Sequence, residues 1–322
     1  MLPQPSRLNF TTSETAIVES AEYRSVSTIS GPFIVSFDIE EHDRIEAAVG
    51  LTLDPTLRSL YAQRMVATTE WILAELDRQE IRATFFILGT IARSKPDLVR
   101  AIHRAGHEVA SHGWNHQRLH SMTPETFQDD LRMSLDALQD VTGEPVLGYR
   151  APTFSVVRKT AWAIDILASS GLRYDSSIYP IHHDRYGVPS APRTPFLARG
   201  EHHEILELPP ATLQVGRLTL PIGGGGYFRL LPGSWMRHAI DQARCSAQNQ
   251  AVMLYFHPWE FDPDQPRLPL KQPSRLRTYV GIARSRSRLT ALLSGRRFER
   301  AIDIAQDVLT RRNALASFSL VD

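Results

Sequence analysis

Two rhythms of apolar residues alternate along this chain. Short runs are apolar almost throughout, as in FIVSF at 33–37, ATFFIL at 83–88 and VMLYF at 252–256. Each reads as a strand of a central parallel sheet, buried on both faces. Between such runs, apolar residues recur three and four apart, the period of a helix with one buried face. Leu57, Tyr61, Met65, Ile72 and Leu76 share one face, behind Asp54 as cap and Pro55 in the first turn. SKPDLVRAIHRAG has Pro96 near its start and Gly106 at its end. A third helix opens at Thr123 and Pro124, lines up Phe127, Leu131, Leu135 and Leu138, and stops at Gly143. HEVAS, PVLGYR, LRYDSS and ILELPP supply further strands, and TAWAIDILASSG and PGSWMRHAIDQA further helices. This alternation predicts an α/β fold with a parallel sheet. The pattern leaves a closed barrel and an open doubly wound sheet both available. Either would place a site at the C-terminal ends of its strands.

The segments outside this rhythm are few. Residues 1–30 are polar and rich in Ser and Thr, and read as an N-terminal arm. Residues 178–203, with His182, His183 and several prolines, read as a long loop over the mouth of the site. GGGG at 223–226 lacks both the Gly-Lys-Ser/Thr ending and the dinucleotide spacing, so it is not a phosphate loop. It predicts a tight loop or a close approach of substrate, and GGGGYF joins the 178–203 loop as an expected substrate contact. RSRSRLTALLSGRRF at 284–298 reads as a solvated helical face rather than an anion-binding patch.

Composition narrows the class. The formal net charge of +1 gives no reason to expect a nucleic-acid partner. Cys245 is the only cysteine, which rules out an intrachain disulfide. No apolar run approaches the roughly 20 residues that span a bilayer. The first residues carry no basic segment followed by an apolar one. The expectation is a soluble cytoplasmic protein, with peripheral membrane association or homo-oligomerisation left open.

Polar residues collect at five strand ends. The first carries DIEEHD at 38–43, the third His112 and His116 within SHGWNH, and the others Arg150, Asp175 and His257 with Trp259 and Glu260. Two histidines four apart on a helical turn would face one cation. A catalytic zinc site commonly adds a carboxylate and keeps one position open. DIEEHD is the obvious source. If strand geometry persists, Asp38 and Glu40 project to one side while Ile39 packs away. One carboxylate can then bind metal and the other act as a base. Glu41, His42 and Asp43 remain rivals for the ligand position. Arg150 can pair with a buried carboxylate or close a surface turn. Asp175 reads equally as a turn or cap residue. For His257, core packing, metal ligation and general acid catalysis compete.

Taken in order, FDIE, SHGWNH, RAPTF, YDSS and LYFHPWE resemble the five motifs of the polysaccharide deacetylases, the NodB-type family-4 carbohydrate esterases. FDIEEHD, GYRAPTFS, PIGGGGYFRLLP and FHPWEFDPDQPR are closest to the branch associated with exosortase and exopolysaccharide loci, which carries a C-terminal extension. The resemblance implies a distorted (β/α) barrel of seven or eight strands over 31–260, with 261–322 as an extension packed on it. It implies Asp38 as general base, Arg150 as its orienting partner, and His257 as the acid tuned by Asp175. The backbone N–H of Thr153 would help bind the oxyanion. His112 and His116 match the metal ligands. Ile39 stands where the family usually has a second aspartate, and Glu40 is the substitute as third ligand. The implied cofactor is a divalent metal, Zn²⁺ foremost, with Co²⁺, Mn²⁺ or Ni²⁺ as alternatives. The implied reaction is N-deacetylation of an amino-sugar polysaccharide or its lipid-linked precursor in exopolysaccharide biosynthesis. Two rival functions are hydrolysis of another non-peptide C–N bond, in a formamide or cyclic ureide, and glycan binding without catalysis.

Overall fold

The computed structural model describes residues 32–183, 185–246 and 251–321. The N-terminal arm expected at 1–30 lies outside them. The first half alternates strands with helices, two of them between β2 and β3: β1 (Phe33–Ile39), α1 (Pro55–Arg78), β2 (Thr84–Ile87), α2 (Gly89–Ser94), α3 (Pro96–Arg104), β3 (Glu108–Ser111) and α4 (Pro124–Thr142). β4 (Gly148–Tyr149), α5 (Trp162–Ser169) and β5 (Tyr174–Asp175) follow. The second half holds β6 (Phe196–Arg199), β7 (Glu204–Glu207), β8 (Thr212–Val215), β9 (Leu218–Pro221), α6 (Gly225–Leu230), α7 (Gly233–Ser246) and β10 (Val252–Phe256). It ends with α8 (Ser274–Tyr279), α9 (Ser285–Leu293), β11 (Phe298–Glu299), α10 (Ala301–Thr310) and β12 (Ala316–Ser319).

Local chemistry sets these boundaries. The Asp54 carboxylate accepts the Thr56 N–H at 2.7 Å and starts α1. Thr123 and Thr126 form a reciprocal capping box on α4, and Gly143 ends it in the left-handed region at φ 75°. β6 runs through the segment that the sequence suggested was all loop. Phe196, Leu197 and Ala198 are buried there and pair antiparallel with β7. The hairpin β8–β9 was also not foreseen.

The main sheet runs β10-β1-β2-β3-β4-β5-β7-β6-β12, and every pairing along it is parallel except β6 with β7. The chain after β7 meets β10 through single bridges rather than a ladder. Pro210 bridges Met253, and the Ala211 N–H donates to the Met253 carbonyl at 2.9 Å. Gly224 bridges Tyr255, whose N–H donates to the Gly223 carbonyl at 2.7 Å. These contacts set the chain after β7 and the glycine run beside β10, at the other end of the parallel run. Proline has no N–H, so Pro209 and Pro210 cannot extend a regular ladder.

The segment beyond 260 does more than cover the barrel. β11 pairs with the start of β1, and β12 lengthens the sheet beside β6. α10 packs Ala301, Ile302, Ile304 and Ala305 against the barrel-floor residues Ile34, Phe86, Ala110 and Met253. Its first N–H groups are capped from the floor by Thr84 Oγ1 at 2.7 Å and Glu108 Oε2 at 2.9 Å.

Candidate metal and catalytic site

β1 supplies the first two acids by simple alternation. Phe33, Val35, Phe37 and Ile39 pack outward into the core beneath the helices. Ile34 faces the floor cluster, and Ser36 and Asp38 continue the same inner face upward. Glu40, one residue past the strand, keeps that direction and is 2% exposed. Its three rivals are engaged elsewhere. Glu41 pairs with Arg44, Asp43 lies 3.7 Å from Arg58, and His42 Nε2 pairs with the Tyr279 hydroxyl at 2.9 Å.

SHGWNH is a loop, not the helical turn that its spacing suggested. Gly113 and His116 both adopt left-handed backbone, at φ 78° and 58°. This folds the chain back and brings the two imidazole centroids to 5.4 Å. A non-glycine residue in that region is strained, and such strain concentrates at working sites. Trp114 faces away from the histidines, with the Arg93 guanidinium 5.4 Å from its ring centroid.

Donor atoms of Glu40, His112 and His116 lie within 4.8 Å of one another. The His112 Nδ1–H donates to the Arg150 carbonyl at 2.8 Å, leaving Nε2 free to ligate. His116 Nε2 and Glu40 Oε2 lie 2.6 Å apart. Among the described residues, Glu40 Oε2 has no other hydrogen-bond partner although it is buried. Burial opposes charge on Glu40, but the imidazoles of His116, His257 and His112 outweigh it and hold the carboxyl well below its usual range. Burial also pushes His112 down to about 4, so it stands neutral as a ligand must. A buried carboxylate with two imidazoles fits a divalent cation.

Beside this set lies a buried ion pair. Arg150 Nη1 donates to Asp38 at 2.6 Å and to Ser36 Oγ at 2.9 Å. Its other nitrogens hold the carbonyl and hydroxyl of Ser176, and its guanidinium lies 4.0 Å over the Phe86 ring. His257 enters from the end of β10. Its Nε2 lies 3.9 Å from Asp38 Oδ2 and 3.7 Å from Glu40 Oε1.

Asp175 is not beside His257. It accepts a hydrogen bond from Ser177 and pairs with Glu207. The residue on His257 is Glu260, which accepts the Nδ1–H at 2.9 Å. Burial would lower the His257 pKa, but the Glu260 hydrogen bond and the charges of Glu40, Glu260 and Asp38 raise it to about 9. The reason for the difference is local. β5 is two residues long, and Asp175 at its end turns toward β7, where Glu207 sits directly across in register.

Asp175 Oδ2 and Glu207 Oε2 would both be orphaned if both groups were ionised. One shared proton satisfies both. Burial, reinforced by the Asp175 charge, pushes Glu207 well above the usual range, so Glu207 carries that proton. The folded state therefore binds a proton that the unfolded chain releases near pH ~4.3, and stability falls as pH rises from there. Glu207→Gln keeps a donor toward Asp175 without the titration. Urea midpoints at about pH 5 and about pH 8 should differ less in this variant than in wild type. An unchanged difference would refute the shared proton.

Thr153 adopts φ 57° and lines, with His116, Asp43 and Arg44, a cleft of about 250 Å³ that opens beside the candidate ligands. Within 178–203, Tyr179 and Ile181 are buried against Phe154 and Tyr255. The glycine run makes a close backbone contact. A Cβ on Gly224 would lie 1.7 Å from the Tyr255 carbonyl oxygen. In the basic stretch Arg284, Arg286 and Arg297 are exposed, as expected of a solvated face, although some of its arginines also make hydrogen bonds. Arg286 donates to the Phe261 carbonyl, Arg288 to the carbonyls of Phe228, Arg229 and Leu231, and Arg296 to Asp241.

Comparison with known proteins places two family models on this chain. The family described as polysaccharide deacetylase matches residues 42–174, and the domain of unknown function DUF3473 matches residues 176–306. The chain carries a polysaccharide deacetylase domain of the NodB, family-4 carbohydrate-esterase type, and the DUF3473 match accounts for its C-terminal part. His112, His116, Arg150 and Thr153 fall in the first match, His257 and Glu260 in the second, and Asp38 and Glu40 precede both. A peptidoglycan deacetylase from Helicobacter pylori is 30% identical over 113 residues, 35% of this chain and 37% of that protein. The chain thus spans little more than a third of the length of the first curated relatives it matches. A crystal structure from Mycobacterium smegmatis, of a protein assigned to the polysaccharide deacetylases, aligns over 88% of this chain and 92% of its own. Its TM-score is 0.57 at 21% identity. An allantoinase structure aligns over 85% of this chain and 89% of its own, with a TM-score of 0.55 at 17% identity. At these identities both likenesses concern the fold.

Proposed function

We propose that this protein is a metal-dependent carbohydrate N-deacetylase. Its substrate would be an N-acetylated amino sugar in a polysaccharide or a lipid-linked precursor, within exopolysaccharide biosynthesis. One observation carries the reading. A held carboxylate, Asp38 on Arg150, and a held imidazole, His257 on Glu260, flank a single three-donor set.

A divalent ion on Glu40, His112 and His116, most simply Zn²⁺, would supply Lewis acidity toward water and the amide carbonyl. The chain's own groups divide the remaining work. Asp38 accepts a proton from the attacking water, and Arg150 fixes the carboxylate for that transfer. The water oxygen bonds to the acyl carbon while the Thr153 N–H donates toward the developing oxyanion. The C–N bond then breaks, and His257 hands its Nε2 proton to the departing nitrogen. Acetate and a free amine result. The curated deacetylase relatives and the family match support this assignment.

Acetate release from N-acetylglucosamine oligomers tests it. Chelation should abolish release, Zn²⁺ should restore it, and His112→Ala should lose both activity and bound metal. Release that survives both chelation and His112→Ala would overturn the reading. A ring-opened ureide or a deformylated product with no acetate would move the substrate to another C–N bond.

A further inference from the structure

The acid half of the site has a support that the base half does not share. Glu260 lies on the short turn Pro258–Phe261, directly after His257. Its Oε1 accepts both the backbone N–H of His257 at 3.1 Å and the Nδ1–H at 2.9 Å. Its Oε2 accepts Nε of Arg229 at 2.9 Å. Both side chains are almost fully buried, Arg229 at 2% exposure and Glu260 at 0%. The Arg229 guanidinium also lies 5.1 Å over the Trp259 ring, which in turn stacks on His257.

Arg229 is itself anchored from the C-terminal segment. Its Nη1 donates to the carbonyls of Thr278 at 2.5 Å and Val280 at 3.1 Å. A Cβ on Gly281 would lie 2.3 Å from the Arg229 carbonyl oxygen, so only glycine allows this approach, and its φ of 75° also requires one. Arg288 of α9 holds that same carbonyl at 2.7 Å.

We propose that Glu260 and Arg229 are positioning residues for His257, and that the strap at 277–281 with Arg288 exists to hold them. The proposal rests on the deacetylase reading for its consequence, not for its geometry. Donation of Nδ1–H to Glu260 leaves Nε2 as the atom that faces Asp38, Glu40 and the reacting bond. Arg229 fixes the rotation of the carboxylate and keeps Oε1 on the imidazole. The C-terminal region thus builds the acid, while β1 and β4 build the base.

Two substrates separate positioning from folding. An N-acetylglucosamine oligomer loses an amine that must be protonated as it leaves. An activated aryl acetate loses a phenolate that leaves without a proton. Glu260→Gln is isosteric, and Arg229→Lys keeps the charge. Glu260→Gln should lower kcat on the oligomer by about 10²–10³-fold. On the ester it should lose less than about 10-fold, with KM on both substrates and bound metal as in wild type. Arg229→Lys should show a smaller loss of the same kind, and Glu260→Asp should recover part of it. Equal losses on both substrates, or none on the oligomer, would overturn the proposal. A second readout does not depend on turnover. The low-field imidazole proton of His257 in NMR spectra should be present in wild type and absent in Glu260→Gln. Its absence from wild type would also overturn the proposal. If the proton behaves as expected and wild type is inactive on every N-acetylated sugar, the deacetylase reading fails and the pairing stands.

Discussion

Arg150→Met should abolish turnover and cost about 3–5 kcal/mol of stability, the range for removing one partner of a buried ion pair. Arg150 is 0% exposed, and methionine matches its apolar stem but none of its donors. Asp38 would be left buried without its cation. Ser36 Oγ, which already donates to the Leu254 carbonyl at 2.8 Å, would lose the donor it accepts from. Both contacts to Ser176 would vanish, and with them the side-chain tie between β1 and the end of β5. Arg150→Lys tests whether charge alone suffices. An ammonium cannot reach Asp38, Ser36 and Ser176 together as the planar fork does. Lysine should therefore recover part of the stability and little of kcat. Urea midpoints with unchanged m-values give the first quantity, and acetate release the second. Wild-type stability in Arg150→Met would mean that Asp38 is not held as described.

The sequence was most readable where the chemistry is local. Asp54, Thr123 and Gly143 announce helix ends because caps act within a few residues. Asp38 and Glu40 share a face because strand alternation is a property of β1 itself. Contacts that depend on distant geometry were harder. Asp175 and His257 both lie at strand ends, yet nothing in their spacing shows that Asp175 turns toward Glu207. Glu260 stood in plain view three residues after His257, the spacing at which one turn brings side chains together. The left-handed backbone of His116 leaves no mark in SHGWNH, although the left-handed Gly113 three residues before it is a usual sign of irregular backbone. The hydrogen bonds of Arg286, Arg288 and Arg296 left no sign in the sequence because their partners, the carbonyls of 228–231 and 261 and the carboxylate of Asp241, lie far away in it. The contacts that bring the chain after β7 beside β10 were hidden for the same reason, since they are single bridges at Pro210 and Gly224.

Asp38→Asn and Glu40→Gln should part company, although the two acids stand only two residues apart. Asp38 gives one oxygen to Arg150 and turns the other toward His257, which leaves a base but no third ligand. Glu40 gives its oxygen to His116 in a set that already holds two imidazoles, which leaves a ligand that is not free as a base. Asp38→Asn should therefore bind metal as wild type does and lose about 10²–10⁴-fold in kcat, the usual worth of a general base. It should also melt lower than wild type, because Arg150 then faces a neutral amide inside the barrel. Glu40→Gln should lose metal first and activity as a consequence, with part of the activity returning as Zn²⁺ is raised. Metal content after gel filtration, read beside kcat at saturating Zn²⁺, separates the two. If Asp38→Asn emptied the site while Glu40→Gln kept its ion and lost only turnover, ligand and base would have to be exchanged. The Asp38–Arg150 pair would then be a support for the metal rather than a poised acceptor for the proton of water.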